Sequence, residues 1–183
     1  MKRPISFALV MILVAGLLTG MLTGCAKKEP TTIKIGAFFP LTGPVGAQGV
    51  YQKQGVELAV EEINAAGGIK GKTVQVVFED TQGKKENIPT IVRKLIEKDG
   101  AVSLVGEVIS SNSIAAGPVV KQLKVPAIAP HSTNPAVTKD PEDPSKANPY
   151  YFRVIFTDPE QGSALATFAS KELGKTKAAI IFN

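Results

Sequence analysis

From residue 33 onward, short apolar runs alternate with longer segments of helical spacing, and this alternation is the strongest constraint on the fold. The runs that predict strands are residues 33–39, 73–78, 102–106, 125–130, 151–155 and 177–182. The segments that predict helices are residues 48–66, 87–98, 113–123 and 160–173. Continuous apolar strands separated by amphipathic helices are typical of a parallel sheet with both faces covered. The sequence therefore predicts an α/β fold with a doubly wound parallel sheet.

Residues 1–24 are organised like an export signal. Two basic residues precede an apolar run over residues 5–18, which is shorter than the roughly 20 apolar residues that a membrane-spanning helix needs. Residues 22–25, Leu-Thr-Gly-Cys, resemble the lipobox of bacterial lipoproteins. We therefore predict a signal peptide over residues 1–24, lipid attachment at Cys25 and a polar tether over residues 25–32. The alternative is an uncleaved anchor helix with an unrelated cysteine.

Composition narrows the set of partners. Cys25 is the only cysteine, so we expect no internal disulfide. The net charge is +5 at pH 7, and the lysines beyond the signal are scattered among acidic residues. Nucleic-acid binding calls for basic residues clustered on one face. We therefore predict no nucleic-acid partner. The membrane contact that we predict is made through the lipid on Cys25.

Polar residues follow the predicted strands at the edge where open α/β sheets bind ligands. The segments at this edge are residues 40–49, 79–82, 107–113 and 131–135. In the third segment, Ser110 and Ser111 come just before a predicted helix, where hydroxyls and free backbone N–H groups can together bind an anion. The fourth segment contributes His131, Ser132 and Thr133. The alternative is that the serines only cap the helix and Thr133 only forms a turn.

Enzymatic and metal-binding interpretations find little support in the sequence. Gly43, Gly46 and Gly49 follow the first predicted strand, but their spacing differs from that of the dinucleotide-binding fingerprint. His131 is the only histidine and has no cysteine near it, so it lacks a set of metal ligands. We therefore predict that the chain is not an enzyme and uses neither a cofactor nor a metal ion.

An ordered series of short motifs runs from about residue 33 to the end of the chain. The motifs are residues 39–44 (FPLTGP), 64–71 (NAAGGIKG), 79–80 (ED), 105–106 (VG), 110–111 (SS), 125–130 (VPAIAP), 132–135 (STNP), 152–153 (FR) and 158–162 (DPEQG). Each motif is weak by itself, but the ordered set is specific. In order and spacing, it is similar to the branched-chain amino-acid binding family of ABC transporter solute receptors.

The resemblance implies a ligand and the residues that hold it. The ligand is an amino acid of the branched-chain type or a similar small carboxylate, which is passed to an ABC permease. By the same resemblance, Ser110 helps to hold the α-carboxylate, with Ser111 beside it. Thr133 meets the α-amino-acid group through its hydroxyl and amide. The other positions that match the ligand-facing positions of the family are His131 and Ser132, through backbone atoms, and Gln48.

The resemblance also implies two Rossmann-like lobes joined by a hinge. Residues 33–155 form an incomplete first lobe, and residues 156–183 form the hinge crossing and the start of the second lobe. We expect a truncated protein, because the last predicted strand, residues 177–182, would need further chain to cover it. The residues that select the ligand would then lie on the missing part of the second lobe. Two alternatives stay open: a ligand-sensing lobe of a signalling receptor, and a non-functional remnant. A permease and an ATPase encoded beside the gene would favour uptake, whereas a kinase or cyclase would favour sensing.

Overall fold

A computed structural model describes residues 31–179 of the chain. The predicted signal peptide, Cys25 and most of the predicted tether lie outside these residues. Residues 180–182 of the last predicted strand also lie outside them, and residues 177–179 of that strand are irregular. Among the residues that the structure describes, no helix combines the length and the apolar character needed to cross a membrane.

Five parallel strands form one sheet. They are β1 (Thr32–Phe39), β2 (Thr73–Asp80), β3 (Ser103–Val105), β4 (Ala127–Ala129) and β5 (Tyr151–Arg153). The strand order is β2-β1-β3-β4-β5, and every neighbouring pair is parallel. The predicted parallel α/β sheet is confirmed. Because β2 and β3 lie on opposite sides of β1, the sheet has its switch point between β1 and β3.

Helices connect the strands and follow the last of them. They are α1 (Gly46–Ala65), α2 (Ile88–Arg93), α3 (Ser110–Leu123) and α4 (Asp158–Thr167). The shorter helical segments are the 3₁₀ helices Lys85–Asn87 and Pro135–Thr138 and the π-helical extensions Lys94–Lys98 and Phe168–Glu172. Both α1 and α3 begin earlier than the apolar spacing predicts, because their first turns consist of small and polar residues.

One face of the sheet carries the hydrophobic core. Phe38 of β1, Leu104 of β3 and Tyr151 of β5 are buried on this face. Helices α2 and α3 cover it and bury Val92 and Val120 against the strands. This face therefore has the continuous apolar packing that the sequence of the strands predicts.

The opposite face of the described sheet is covered by α1 over β1 and β2. The Lys53 ammonium of α1 lies 4.9 Å from the centre of the Phe78 ring of β2. Farther along the same face, Ile128 of β4 and Phe152 of β5 are 36% and 49% exposed. The sheet therefore has helices on both faces, but the second face is covered unevenly.

The chain beyond β5 packs differently from the rest. Residues 154–179 contribute no buried residue, and Leu165 and Phe168 are exposed. A capping box begins α4, because the Glu160 carboxylate accepts hydrogen bonds from the N–H and hydroxyl of Thr157 at 2.6 and 2.8 Å. The predicted lobe boundary after residue 155 falls near the start of this segment and stays a prediction.

Candidate ligand-binding site

The loops that follow the strands gather at the carboxyl edge of the sheet. In open α/β sheets this edge binds ligands, and the crevice opens at the switch point, here between β1 and β3. The four segments that the sequence singled out follow β1, β2, β3 and β4 in turn. The fold therefore brings the candidate binding residues to one edge of the sheet.

Asp80 joins the loops after β1 and β2. Its Oδ1 accepts hydrogen bonds from the N–H groups of Leu41 and Gln82, each at 2.8 Å, and its Oδ2 accepts one from the Thr42 hydroxyl at 2.5 Å. Partial burial acts to raise the pKa of Asp80, but these hydrogen bonds outweigh it, and the pKa lies below its ordinary value. Asp80 is therefore a carboxylate at neutral pH and holds the two loops together.

Gly83 lies where the loops after β1, β2 and β3 meet. Its φ is 70°, and a Cβ at this position would lie 3.5 Å from Ile109 Cδ1 and 3.6 Å from Val45 Cγ2. The three loops therefore approach one another closely at this glycine. Gln48 lies at the same edge, exposed in the first turn of α1, and its N–H donates to the Val45 carbonyl at 3.1 Å. Its contact with a ligand stays a prediction.

Ser110 is the first residue of α3, and Ser111 follows it, exposed to solvent. Since the first N–H groups of a helix lack acceptors within the helix, the start of α3 presents donors at this edge. The Ser110 hydroxyl oxygen accepts a hydrogen bond from the N–H of Asn134 at 3.3 Å, which links the loops after β3 and β4. The residue before the helix is Ile109, whose side chain makes no capping hydrogen bond. Ser110 and Ser111 therefore lie inside the first turn rather than at the capping position before it.

The three residues after β4 that match the family motif have different surroundings. His131 is exposed, whereas Ser132 is buried with its hydroxyl turned toward the Glu107 carbonyl. The Ser132 side chain is therefore turned away from solvent, and a contact of its backbone with a ligand stays a prediction. Thr133 is partly buried, and its carbonyl accepts a hydrogen bond from the N–H of Asp158 at 3.1 Å. Ser110 and Thr133 lie on neighbouring loops, and their roles as ligand contacts stay predictions.

A buried polar network that the motifs did not predict lies beneath these loops. Its members are Thr81, Glu107, Asn112, Ser113, Ser132 and Tyr151. Burial raises the pKa of Tyr151, and its hydroxyl donates to the Gly106 carbonyl at 2.9 Å. The signal available in the sequence was Glu107, an acidic residue within the otherwise apolar residues 104–109.

The chemistry of this edge suits the binding of a small anion. Its free groups are hydroxyls and N–H donors at the start of a helix, where the helix dipole also favours negative charge. In the part of the chain that the structure describes, no group of three or more histidine, cysteine, aspartate or glutamate side chains is placed to hold a metal ion.

Comparison with known proteins connects this geometry with a family. A family model described as "Periplasmic binding protein" matches residues 32–183. A Leu/Ile/Val-binding protein homologue from Brucella melitensis is 32% identical over 158 residues, which are 86% of this chain and 41% of the homologue. The chain thus spans two fifths of the length of that relative.

Solved structures share the fold. A branched-chain amino acid transporter substrate-binding protein from Streptococcus pneumoniae, in complex with isoleucine, is 33% identical with a TM-score of 0.70 over 78% of this chain and 39% of that one. A leucine-binding protein from Thermotoga maritima is 35% identical with a TM-score of 0.67 over 78% of this chain and 38% of that one. These relatives are binding proteins, in agreement with the prediction that the chain is not an enzyme. The resemblance carried by the sequence motifs is confirmed, and the chain belongs to the periplasmic binding protein family.

Proposed function

We propose that this chain belongs to the solute receptor of an ABC importer and captures an amino acid of the branched-chain type or a similar small carboxylate. The observation that carries the proposal is the position of Ser110 at the start of α3 and of Thr133 in the neighbouring loop after β4. The Leu/Ile/Val-binding name of the Brucella homologue and the isoleucine bound by the streptococcal relative support the choice of ligand.

A ligand carboxylate fits the chemistry at the start of α3. The helix supplies unpaired N–H groups and a partial positive charge. Because Ser110 Oγ accepts a hydrogen bond from Asn134, its own proton stays available to a ligand. The Thr133 hydroxyl supplies a further donor. Charge-assisted hydrogen bonds contribute about 1.5–3 kcal/mol each, so a few of them outweigh the lost hydration of a carboxylate.

The same proposal places the protein at the periplasmic or extracellular face of a cell-envelope membrane, where it serves an ABC permease of the branched-chain amino-acid type. Periplasmic binding proteins are exported, and we assign the attachment to lipid on Cys25 because residues 22–25 resemble a lipobox. Cells that produce Cys25→Ser should show no incorporation of a fatty-acid probe into the protein. Equal labelling of this variant and the wild type would contradict the lipid anchor.

A comparison of L-isoleucine with L-isoleucinamide tests the proposed ligand class. The amide keeps the side chain and the amino group but lacks the charged carboxylate. Titration calorimetry on the whole protein that carries this sequence should show saturable binding of isoleucine and binding of the amide weakened by at least about tenfold. Equal affinities would contradict carboxylate recognition. Absence of binding for leucine, isoleucine and valine would contradict the branched-chain assignment.

A further inference from the structure

Glu107 is a fully buried acidic residue between the end of β3 and the start of α3. Its Oε1 accepts hydrogen bonds from Thr81 Oγ1 at 2.5 Å and from Asn112 Nδ2 at 3.3 Å. Its Oε2 accepts one from the N–H of Ile109 at 2.7 Å. A buried carboxylate is costly unless hydrogen-bond donors compensate for the lost water. All three of these partners donate, so the two carboxyl oxygens of Glu107 accept a hydrogen bond from each of them.

The main chain of Glu107 belongs to a closed ring of hydrogen bonds. Its N–H donates to Ser113 Oγ at 3.3 Å, and its carbonyl accepts from Ser132 Oγ at 2.9 Å. The two serine oxygens are 2.7 Å apart. Since Ser132 has one hydroxyl proton and gives it to the carbonyl, Ser113 must donate to Ser132. The ring therefore begins and ends on Glu107 and has a single direction.

These contacts reach the two residues predicted to hold the ligand. Ile109, which donates to the carboxylate, precedes Ser110 in the chain. Ser132, which donates to the carbonyl, precedes Thr133. One buried residue therefore fixes the peptide units next to both hydroxyls and ties them to the loop after β2 through Thr81.

We infer that Glu107 is a positioning residue of the binding site, which sets the spacing between Ser110 and Thr133 without touching the ligand. The inference rests on the proposed function, because it concerns the same site. Loops that are ordered before the ligand arrives cost less conformational entropy on binding. Loss of the Glu107 carboxylate should therefore weaken ligand binding although the residue is buried beneath the site.

Glu107→Gln is the main test, because it keeps the size of the side chain and changes its hydrogen bonding. In one amide orientation the new NH₂ group meets the N–H of Ile109, and in the other it meets the side-chain NH₂ of Asn112. With the Asn112 amide in its present orientation, either arrangement sets a donor against a donor. We expect about tenfold weaker binding of L-isoleucine by calorimetry. In the ligand-free protein, we expect faster hydrogen exchange of the amides of residues 109–111 and 132–134.

Asn148→Asp is the matched control. Asn148 is 2% exposed, donates to the Gly117 carbonyl at 3.2 Å and accepts from the N–H of Tyr150 at 3.0 Å. It lies before β5, away from the carboxyl edge, and the aspartate sets an oxygen against the Gly117 carbonyl. Both variants should lower the melting temperature. Only Glu107→Gln should lower the affinity and speed exchange in the two binding loops.

The outcomes separate the two hypotheses. A wild-type protein that binds no branched-chain amino acid overturns the proposed function. Isoleucine affinity and loop exchange that are unchanged in Glu107→Gln, or changed equally in Asn148→Asp, overturn the positioning role and leave the proposed function standing. Should Glu107→Gln fail to fold, Thr81→Val removes one donor to the carboxylate at a residue that does not face the ligand. It should weaken isoleucine binding in the same direction, and unchanged affinity there overturns the inference.

Discussion

The two faces of the sheet are built from the same strands, yet they differ in what covers them. On one face, Leu104 and Tyr151 are buried beneath α2 and α3. On the other face, α1 covers β1 and β2. Ile128 of β4 and Phe152 of β5, on the same face, are 36% and 49% exposed. The difference shows that an apolar strand residue is suited to burial. Whether it is buried depends on whether a helix of the described chain covers that part of the sheet.

Because of this difference, residues of similar hydrophobicity on the two faces should contribute differently to the free energy of unfolding. Leu104 and Ile128 lie on neighbouring strands of the same sheet, at 0% and 36% exposure. Removing a buried leucine side chain leaves a cavity as well as losing transfer free energy. Removing a partly exposed isoleucine leaves no comparable cavity. The stability of the described chain therefore depends mainly on the face that α2 and α3 cover.

The largest effect is expected from truncating the covered face. Leu104→Ala should lower the free energy of unfolding by about 2–5 kcal/mol. Ile128→Ala, as the matched substitution on the other face, should cost about 1 kcal/mol or less. Urea denaturation followed by circular dichroism measures both, provided that the slope of the transition is the same in the two variants.

The same pair of variants can break the comparison between the faces. Equal losses of stability in Leu104→Ala and Ile128→Ala would show that Ile128 is buried in the protein in solution. The unequal coverage of the two faces would then be wrong as a description of the folded protein.

The sequence was sufficient for the order of the five strands and for the edge that carries the candidate site. Alternating strand and helix patterns predicted the parallel sheet, because strands that are buried on both faces have nearly continuous apolar sequences. The position of Ser110 at the start of α3 and of Thr133 after β4 followed from the same pattern. Periodicity failed at the first turns of α1 and α3, since small and polar residues there carry no apolar signal.

The buried polar network could not be predicted from local patterns. Thr81, Glu107 and Ser132 come from three loops, and Thr81 and Ser132 look like ordinary polar loop residues by themselves. Their burial becomes visible only when the strands are placed side by side in the order of the sheet. An acid within an apolar run, as at Glu107, is the one local signal that such a network leaves.

Substitutions at the carboxyl edge of the sheet should change stability least among the variants proposed here. They should nevertheless weaken ligand binding clearly. Under the proposed function, each of Ser110→Ala and Thr133→Ala removes one hydrogen bond to a charged ligand group, so each should weaken isoleucine binding by about ten- to a hundredfold. Ser110→Ala also removes the acceptor of the Asn134 N–H. Ser145→Ala is the control. Ser145 is exposed, and its hydroxyl donates to the Asp143 carboxylate at 2.6 Å. Its loop contacts Lys121 near the C-terminal end of α3, away from the candidate site.

Calorimetric titration of L-isoleucine into the whole protein and these three variants is the most direct test of the central claim that the ligand binds where α3 begins. We predict weakened binding in Ser110→Ala and Thr133→Ala, wild-type binding in Ser145→Ala, and nearly unchanged melting temperatures in all three. Wild-type affinity in both Ser110→Ala and Thr133→Ala would contradict the claim and move the site away from this edge of the sheet.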